Sequence, residues 1–185
     1  MRKITICNGK GGSGKTTATI LLGLALTEAG HKARVIDADP QSTATRWIAD
    51  GGLPLDSGDN SATTLIDTPP RLDDKNLRRA IQESDNVIVI SSPSPADLFT
   101  SQDTAKLIAS LRATKRARLL FNQVQEGTIL SRGLEETAQR IGLVPLKSVL
   151  MRRQCYQHAV LLGWNALPAR AKEEVLKVAL EVASL

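Results

Sequence analysis

Five short runs of β-branched and aliphatic residues, at positions 3–8, 33–37, 63–67, 86–91 and 117–122, alternate with stretches of helical period at 15–29, 42–50, 72–83, 96–113 and 131–141. A weaker strand-like run at 143–150 and two more helical stretches, at 152–162 and 169–184, complete the chain. Strands separated by whole helices cannot close as tight hairpins; they pair in parallel through crossovers, and the helices then cover both faces. The order therefore predicts an α/β fold with a mostly parallel central sheet and helices on both faces, formed as a single domain over residues 1–185. Open sheets of this type bind ligands beyond the carboxyl ends of their strands. Polar residues gather there: Asn8, Gly9, Asp37, Asp39, Asp67, Ser91, Ser92 and Asn122. The turn-rich stretch 51–61 reads as a surface connection, and there is no internal repeat.

Composition narrows the function. The aromatic residues are Trp47, Trp164, Tyr156, Phe99 and Phe121, too few for a domain that reads single strands by stacking bases on aromatic platforms. A formal charge of +5 suits a polyanionic partner without demanding one. Cys7 and Cys155 stand far apart with no C-x-x-C, which spells neither a zinc site nor a disulfide framework and fits a reducing compartment. The longest apolar run, residues 20–26, is too short to span a bilayer, and the first residues lack the pattern of a secretion signal, so a cytoplasmic protein is expected. His31 and His158 read as ordinary surface or half-buried residues.

The most specific feature lies between the first strand and the first helix. Residues 9–16, GKGGSGKT, satisfy G-x-x-x-x-G-K-[ST] in the context that motif requires. Its glycines let backbone N–H groups of Gly11, Gly12, Ser13 and Gly14 turn inward as an anion nest, and the helix that follows adds its positive end. Lys15 brings a full charge to the β- and γ-phosphates, the Thr16 hydroxyl can ligate Mg²⁺, and Thr17 extends the cradle. Lys10 is an additional lysine inside the loop that the generic motif does not need.

With Lys10 in place, residues 10–17 (KGGSGKTT) resemble the deviant phosphate loop of the ParA/MinD family. Residues 37–41, DADPQ, are similar to the family's D-x-D-P-Q segment, and 65–70, LIDTPP, resemble its second acidic motif. Weaker likenesses are residues 92–98, SPSPADL, the strand end 121–124, FNQV, and the closing pattern of small ParA proteins after Met151. The resemblance covers nearly the whole chain. It departs in having no helix-turn-helix before the loop and a shorter 51–61 region, which argues against operator-specific repression.

The resemblance implies an ATPase that uses ATP and Mg²⁺ and forms a nucleotide-sandwich homodimer. In it Lys10 reaches the phosphates of the other subunit, Asp39 orients the attacking water, Asp37 takes a metal-side role, Asp67 holds Mg²⁺ through water and Asn122 reads adenine. It further implies nonspecific DNA binding through Arg152 and Arg153, and the basic clusters Arg78, Arg79, Lys115, Arg116 and Arg118 are candidate helpers. Release by a ParB-like centromere-binding partner and a nucleoid-associated location, with no membrane, complete that expectation. Four other readings compete. A MinD-like membrane switch would use the stripe Val175, Val178, Ala179 and Val182 of the last helix, although its polar face carries Glu173, Glu174 and Glu181. A nitrogenase-reductase relative would need cluster-bridging cysteines that are not suitably placed. A ligase on the same loop, or a related ATPase serving a transfer apparatus, would share the motifs.

Overall fold

A computed structural model of the chain describes residues 2–55 and 63–185. The elements run β1 (Arg2–Cys7), α1 (Lys15–Glu28), β2 (Ala33–Asp37), α2 (Thr43–Asp50), β3 (Thr63–Asp67), α3 (Lys75–Glu83), β4 (Asn86–Ser91) and α4 (Pro95–Ser110). There follow β5 (Ala117–Phe121), α5 (Ile129–Arg132), α6 (Leu134–Ile141), α7 (Cys155–Leu162) and α8 (Ala169–Ala183). The five strands form one parallel sheet in the order β2-β3-β1-β4-β5. The expected α/β architecture is what the chain adopts.

Strand alternation divides the apolar residues between two cores. Ile4, Ile6, Leu65, Ile88, Ile90 and Leu120 face α1, α7 and α8, whereas Cys7, Val87, Val89, Leu119 and Phe121 face α3, α4 and α6. Helix α1 is apolar almost all round because the sheet covers one side and α8, α7 and α2 cover the rest. The stripe Val175, Val178, Ala179 and Val182 of α8 is fully buried in that packing, so it serves the core and is not open to a lipid surface. No helix among the described residues is long and apolar enough to cross a membrane. Cys7 lies at the centre of the sheet, where burial pushes its thiol up to about 12.

Three expectations need correction. The run at 143–150 forms no strand; it makes isolated bridges, Leu119 with Pro145 and Val124 with Met151, because Pro145 within it has no N–H to give to a ladder. The helix expected over 131–141 is split at Gly133 into α5 and α6. Helix α3 starts at Lys75 rather than Leu72, where the Asp74 side chain accepts from the Asn76 and Leu77 N–H groups at 2.7 and 3.4 Å. Of the 51–61 connection, residues 56–61 lie outside the described residues.

Strand register brings the chemistry to one rim. Asp37 pairs with Asp67 across β2 and β3, and Asp67 pairs with Ile6 just before the glycine loop.

Candidate functional site

The loop between β1 and α1 is left-handed at Gly12 (φ 75°) and Gly14 (φ 90°), a conformation that disfavours any side chain. Close approach adds a second reason at Gly14, where a Cβ would sit 2.3 Å from Asn122 Nδ2. Asn122, at the end of β5, donates that amide to Ser13 O at 2.9 Å and accepts the Gln123 N–H at 2.9 Å through Oδ1. Gln123, itself left-handed at φ 57°, donates to Gly12 O at 3.4 Å. Asn122 is thus a buried strut under the loop, with its carbonyl and one amide proton engaged within the protein and the second amide proton left over.

Lys15 begins α1 with its ammonium turned back over the loop, donating to Lys10 O at 2.9 Å. Burial lowers its pKa, while the Asp67, Cys7 and Asp39 charges work in the opposite direction. A desolvated ammonium inside a ring of backbone amides is a strong phosphate ligand, since water does not screen it.

Beside it, Thr16 Oγ1 donates to Asp67 Oδ2 at 2.7 Å. Asp67 is 1% exposed, and its other oxygen, Oδ1, is buried without a hydrogen-bond partner. Burial, opposed by the Thr16 hydrogen bond, raises its carboxyl to about 6. An orphaned carboxylate oxygen next to a threonine hydroxyl is a hard oxygen donor pair, and it fits Mg²⁺. Thr16 and Asp67 are therefore the residues that would hold the ion.

The neighbouring carboxylates have different partners. Both oxygens of Asp37 accept backbone N–H groups, from Asp39 at 3.0 Å and from Thr45 in the first turn of α2 at 3.0 Å. Asp37 thereby fastens the amino end of α2. Asp39 accepts the Gln41 N–H at 3.0 Å through Oδ1. Its charge acts on both Lys15 and Asp67, and the Asp37 charge acts on Asp67 as well. Asp37 and Asp39 also line an open groove of about 520 Å³ with Ile36, Ile66 and Arg79.

Lys10 turns the other way from Lys15. Its ammonium pairs with the Asp97 carboxylate in the first turn of α4, a side chain 4% exposed, while Lys10 itself is 39% exposed. Asp97 also accepts the Ser92 N–H at 3.1 Å, and the hydrogen bonds from Lys10 and Ser92 hold its carboxyl below the ordinary range although burial would raise it. Two further polar residues of α4 continue the stripe. Ser101 accepts from Asn8 Nδ2 at 3.2 Å, and Thr104 accepts the Gly9 N–H at 3.1 Å. Asp97, Ser101 and Thr104 are spaced to share one helix face, and all three are buried under the start of the loop.

On the outer side the segment after Leu150 closes a pocket of about 170 Å³ lined by Gly14, Thr17, Asn122, Met151, Arg152 and Tyr156. Beside the Val124–Met151 bridge and the Arg152 N–H donated to Val124 O at 2.8 Å, the side chain of Glu174 in α8 ties that segment down. It accepts the Met151 N–H at 2.5 Å, the Tyr156 hydroxyl, and both Arg153 Nε and an Arg153 amino group at 3.0 and 2.9 Å. Burial and Glu174 together raise the Tyr156 phenol, which stays a donor. Arg153 is accordingly a part-buried partner of Glu174, whereas Arg152 is exposed. Three of the helpers do not join Arg152 on one surface. Lys115, Arg116 and Arg118 lie where the chain enters β5, at the opposite end of the sheet from the loop, and Arg116 donates to Ile81 O and Gln82 O at the end of α3. Arg79 pairs with Glu83, and Arg78 is exposed.

Sequence reasoning misses two of these devices. The α4 stripe has a signal in polar residues at positions 97, 101 and 104, whereas one glutamate among the charges of α8 gives none for Glu174.

Comparison with known proteins follows the same lines. The family model of the CobQ/CobB/MinD/ParA nucleotide-binding domain matches residues 4–161. The "Maintenance of carboxysome distribution protein A" of Halothiobacillus neapolitanus is 30% identical over 191 residues, which cover 91% of this chain and 88% of that protein. A chain of the MinC:MinD cell division protein complex of Aquifex aeolicus superposes with a TM-score of 0.80 at 17% identity, covering 100% of this chain and 97% of that one. An aspartate-to-alanine variant of Cyanothece McdA in complex with ATP superposes with a TM-score of 0.78 at 15% identity, with coverage of 100% and 97%.

Proposed function

The chain belongs to the CobQ/CobB/MinD/ParA nucleotide-binding family, and from that premise we propose that it is a Mg²⁺-dependent ATPase that positions a cargo by binding DNA only while two subunits are paired around ATP. The observation that supports this best is the division of labour between the two loop lysines. Lys15 covers the phosphate site from within its own subunit, whereas Lys10 leaves the loop on the open side, toward a cavity of about 320 Å³ that Arg152 also lines. A second cation beside a phosphate site already served by one lysine suits an anion delivered from outside the subunit.

In that reading the backbone of Gly11 to Gly14 and the Lys15 ammonium bind the triphosphate. Thr16 and Asp67 hold the ion, which when bound neutralises phosphate charge. Asp39, the carboxylate not committed to a helix end, orients water toward the γ-phosphate, and its proton acceptance there contributes the general-base component of hydrolysis. Pairing places two Arg152 side chains on one surface, so nucleotide gates DNA binding without touching DNA. Hydrolysis, stimulated by a partner of the ParB type, would end the paired state. The cargo follows no motif in the chain; the carboxysome-distribution relative makes a protein microcompartment as reasonable a cargo as a plasmid.

Light scattering and gel shifts on unrelated DNA fragments, run with Mg·ATP and with Mg·ADP, test the proposal. The expected result is a dimer that shifts DNA with ATP alone. Equal DNA binding with both nucleotides, or no nucleotide-dependent dimer, overturns it.

A further inference from the structure

We propose that the buried Asp97 carboxylate holds Lys10 retracted within its own subunit and thereby sets the protein concentration at which ATP can pair two subunits. This deepens the paired-subunit reading given above and rests on it.

The geometry is specific. Asp97 is fixed before Lys10 arrives: Ser94 caps α4 by accepting the Asp97 N–H at 3.3 Å, and the Asp97 carboxylate accepts the Ser92 N–H at 3.1 Å. The remaining oxygen takes the Lys10 ammonium. The backbone at Lys10 is equally constrained, with its N–H donated to Asn8 Oδ1 at 3.1 Å and its carbonyl accepting Lys15 Nζ at 2.9 Å and Ser13 Oγ at 3.2 Å. The side chain of Lys10 is thus the movable part in a rigid frame, and it has two destinations. One is Asp97, 4% exposed and set in the wall of the cavity that Lys10 borders; the other is outward, away from Asp97 through that same cavity, which Gln123, Gln125 and Arg152 also line, and the side chain is already 39% exposed on that side. Pairing of subunits needs the second destination, and the buried pair populates the first.

A retracted lysine acts on pairing by mass action. When the competent conformation is a fraction f of each subunit and both subunits of the pair must adopt it, the apparent dissociation constant rises by 1/f². A buried carboxylate that leaves Lys10 free for about a tenth of the time or less makes pairing about a hundredfold or more harder than it would be with Lys10 already extended. Nucleotide on the opposite subunit supplies the competing anion, so release is tied to ATP and isolated subunits stay apart.

Asp97→Asn is the discriminating substitution, because it keeps the shape and the acceptor for Ser92 N–H while removing the charge. The expected result is ATP-dependent dimerisation at a protein concentration about a hundredfold lower than wild type, with no dimer in ADP. Asp97→Glu, which keeps the charge, should stay within about twofold of wild type if the carboxylate is what matters. The double variant Lys10→Ala/Asp97→Asn should lose ATP-dependent pairing. An unchanged or higher concentration for Asp97→Asn overturns the proposal, and so does an equal shift in Asp97→Glu. Wild-type protein that never dimerises with ATP overturns the paired reading instead, so the two failures are distinguishable. Should Asp97→Asn not fold, amine acylation of the nucleotide-free wild type gives the answer. Lys10 should react about tenfold more slowly than the exposed Lys75, and equal rates overturn the proposal.

Discussion

The two flanks of the glycine loop are built on opposite principles. Its inner flank, where Thr16 meets Asp67 and α4 presents Asp97, Ser101 and Thr104, is buried and cross-braced, with Asp67 Oδ1 left over as an unpartnered acceptor. Its outer flank, the segment from Met151 to Tyr156, bridges to Val124 through the backbone and draws its side-chain ties from one carboxylate, Glu174. A braced flank can hold charge in a fixed place for chemistry. The tethered flank can present charge to a large, featureless partner, where position matters less than number.

The comparison breaks first at Lys15. Replacing it with alanine removes the buried ammonium of the braced flank. A charge-assisted hydrogen bond to phosphate in a desolvated site is worth about 3 kcal/mol or more, so ATP affinity should fall a hundredfold or further. A nucleotide titration checks this, and near-wild-type affinity would move the phosphates elsewhere. Asp39→Ala should leave ATP binding intact and lower turnover by about a hundredfold, the low end of the range for a positioned base. Phosphate release under single-turnover conditions reads it.

Asp67→Asn should separate stability from function. The folded protein holds the Asp67 proton more strongly than an unfolded chain does, since burial raises this carboxyl from 3.8 to about 6. The penalty for ionising it is therefore absent below about pH 4, grows between pH 4 and 6, and is fully present at pH 7. With nucleotide absent and chelator present, the variant should be more stable than wild type at pH 7 by about 2 kcal/mol, with the advantage gone by about pH 4. It should also lose the Mg²⁺ requirement for tight ATP binding. Thermal melts across that range decide it, and equal stability at pH 7 would mean that Asp67 is better compensated than its orphaned oxygen indicates.

How much of this is legible in the sequence depends on whether the function sits in the backbone or in a single long side chain. Parallel pairing follows from period and order, because alternate residues of β4 face two different cores and a strand buried on both sides reads as an unbroken apolar run. The phosphate loop is legible because its positive φ values admit few residues other than glycine. Asp37 and Asn122 are harder. A carboxylate that fastens a helix and one that faces a phosphate occupy the same position in sequence, and only the Thr45 N–H, eight residues away, tells them apart. Glu174 is silent for a related reason: its partners at Met151, Arg153 and Tyr156 come together with it only through packing of α8 against the rest of the chain.

Glu174→Gln sharpens the contrast with a smaller effect. It removes the charge that holds Arg153 while keeping an acceptor, so stability should fall by about 1 to 2 kcal/mol, with nucleotide affinity lowered less than by Lys15→Ala. Chemical unfolding with two probes, tryptophan emission and far-ultraviolet dichroism, checks the first half. No loss of stability would show that the outer flank needs no tether.

The smallest effect, and the sharpest test of the outer flank, comes from two adjacent arginines. Arg153 lies against Glu174 with 23% of its side chain exposed, whereas Arg152 is exposed and borders the cavities on either side of the segment. Arg153→Ala should therefore act chiefly on stability, because it leaves Glu174 buried with one partner fewer. Arg152→Ala should leave melting and ATP binding unchanged and act on DNA. Each phosphate that a cation neutralises contributes about 0.9 to the slope of log affinity against log salt, so losing one arginine from each of two paired subunits should flatten the slope by about 2. At low salt the affinity loss will be largest; toward high salt the variant and wild type should converge, since the counterions that Arg152 would have displaced are then no longer worth releasing. Titrations with ATP over a salt series measure that slope directly. A parallel line, displaced but not flattened, would mean that Arg152 supports the segment as Arg153 does, and the two flanks of the loop would then be braced alike.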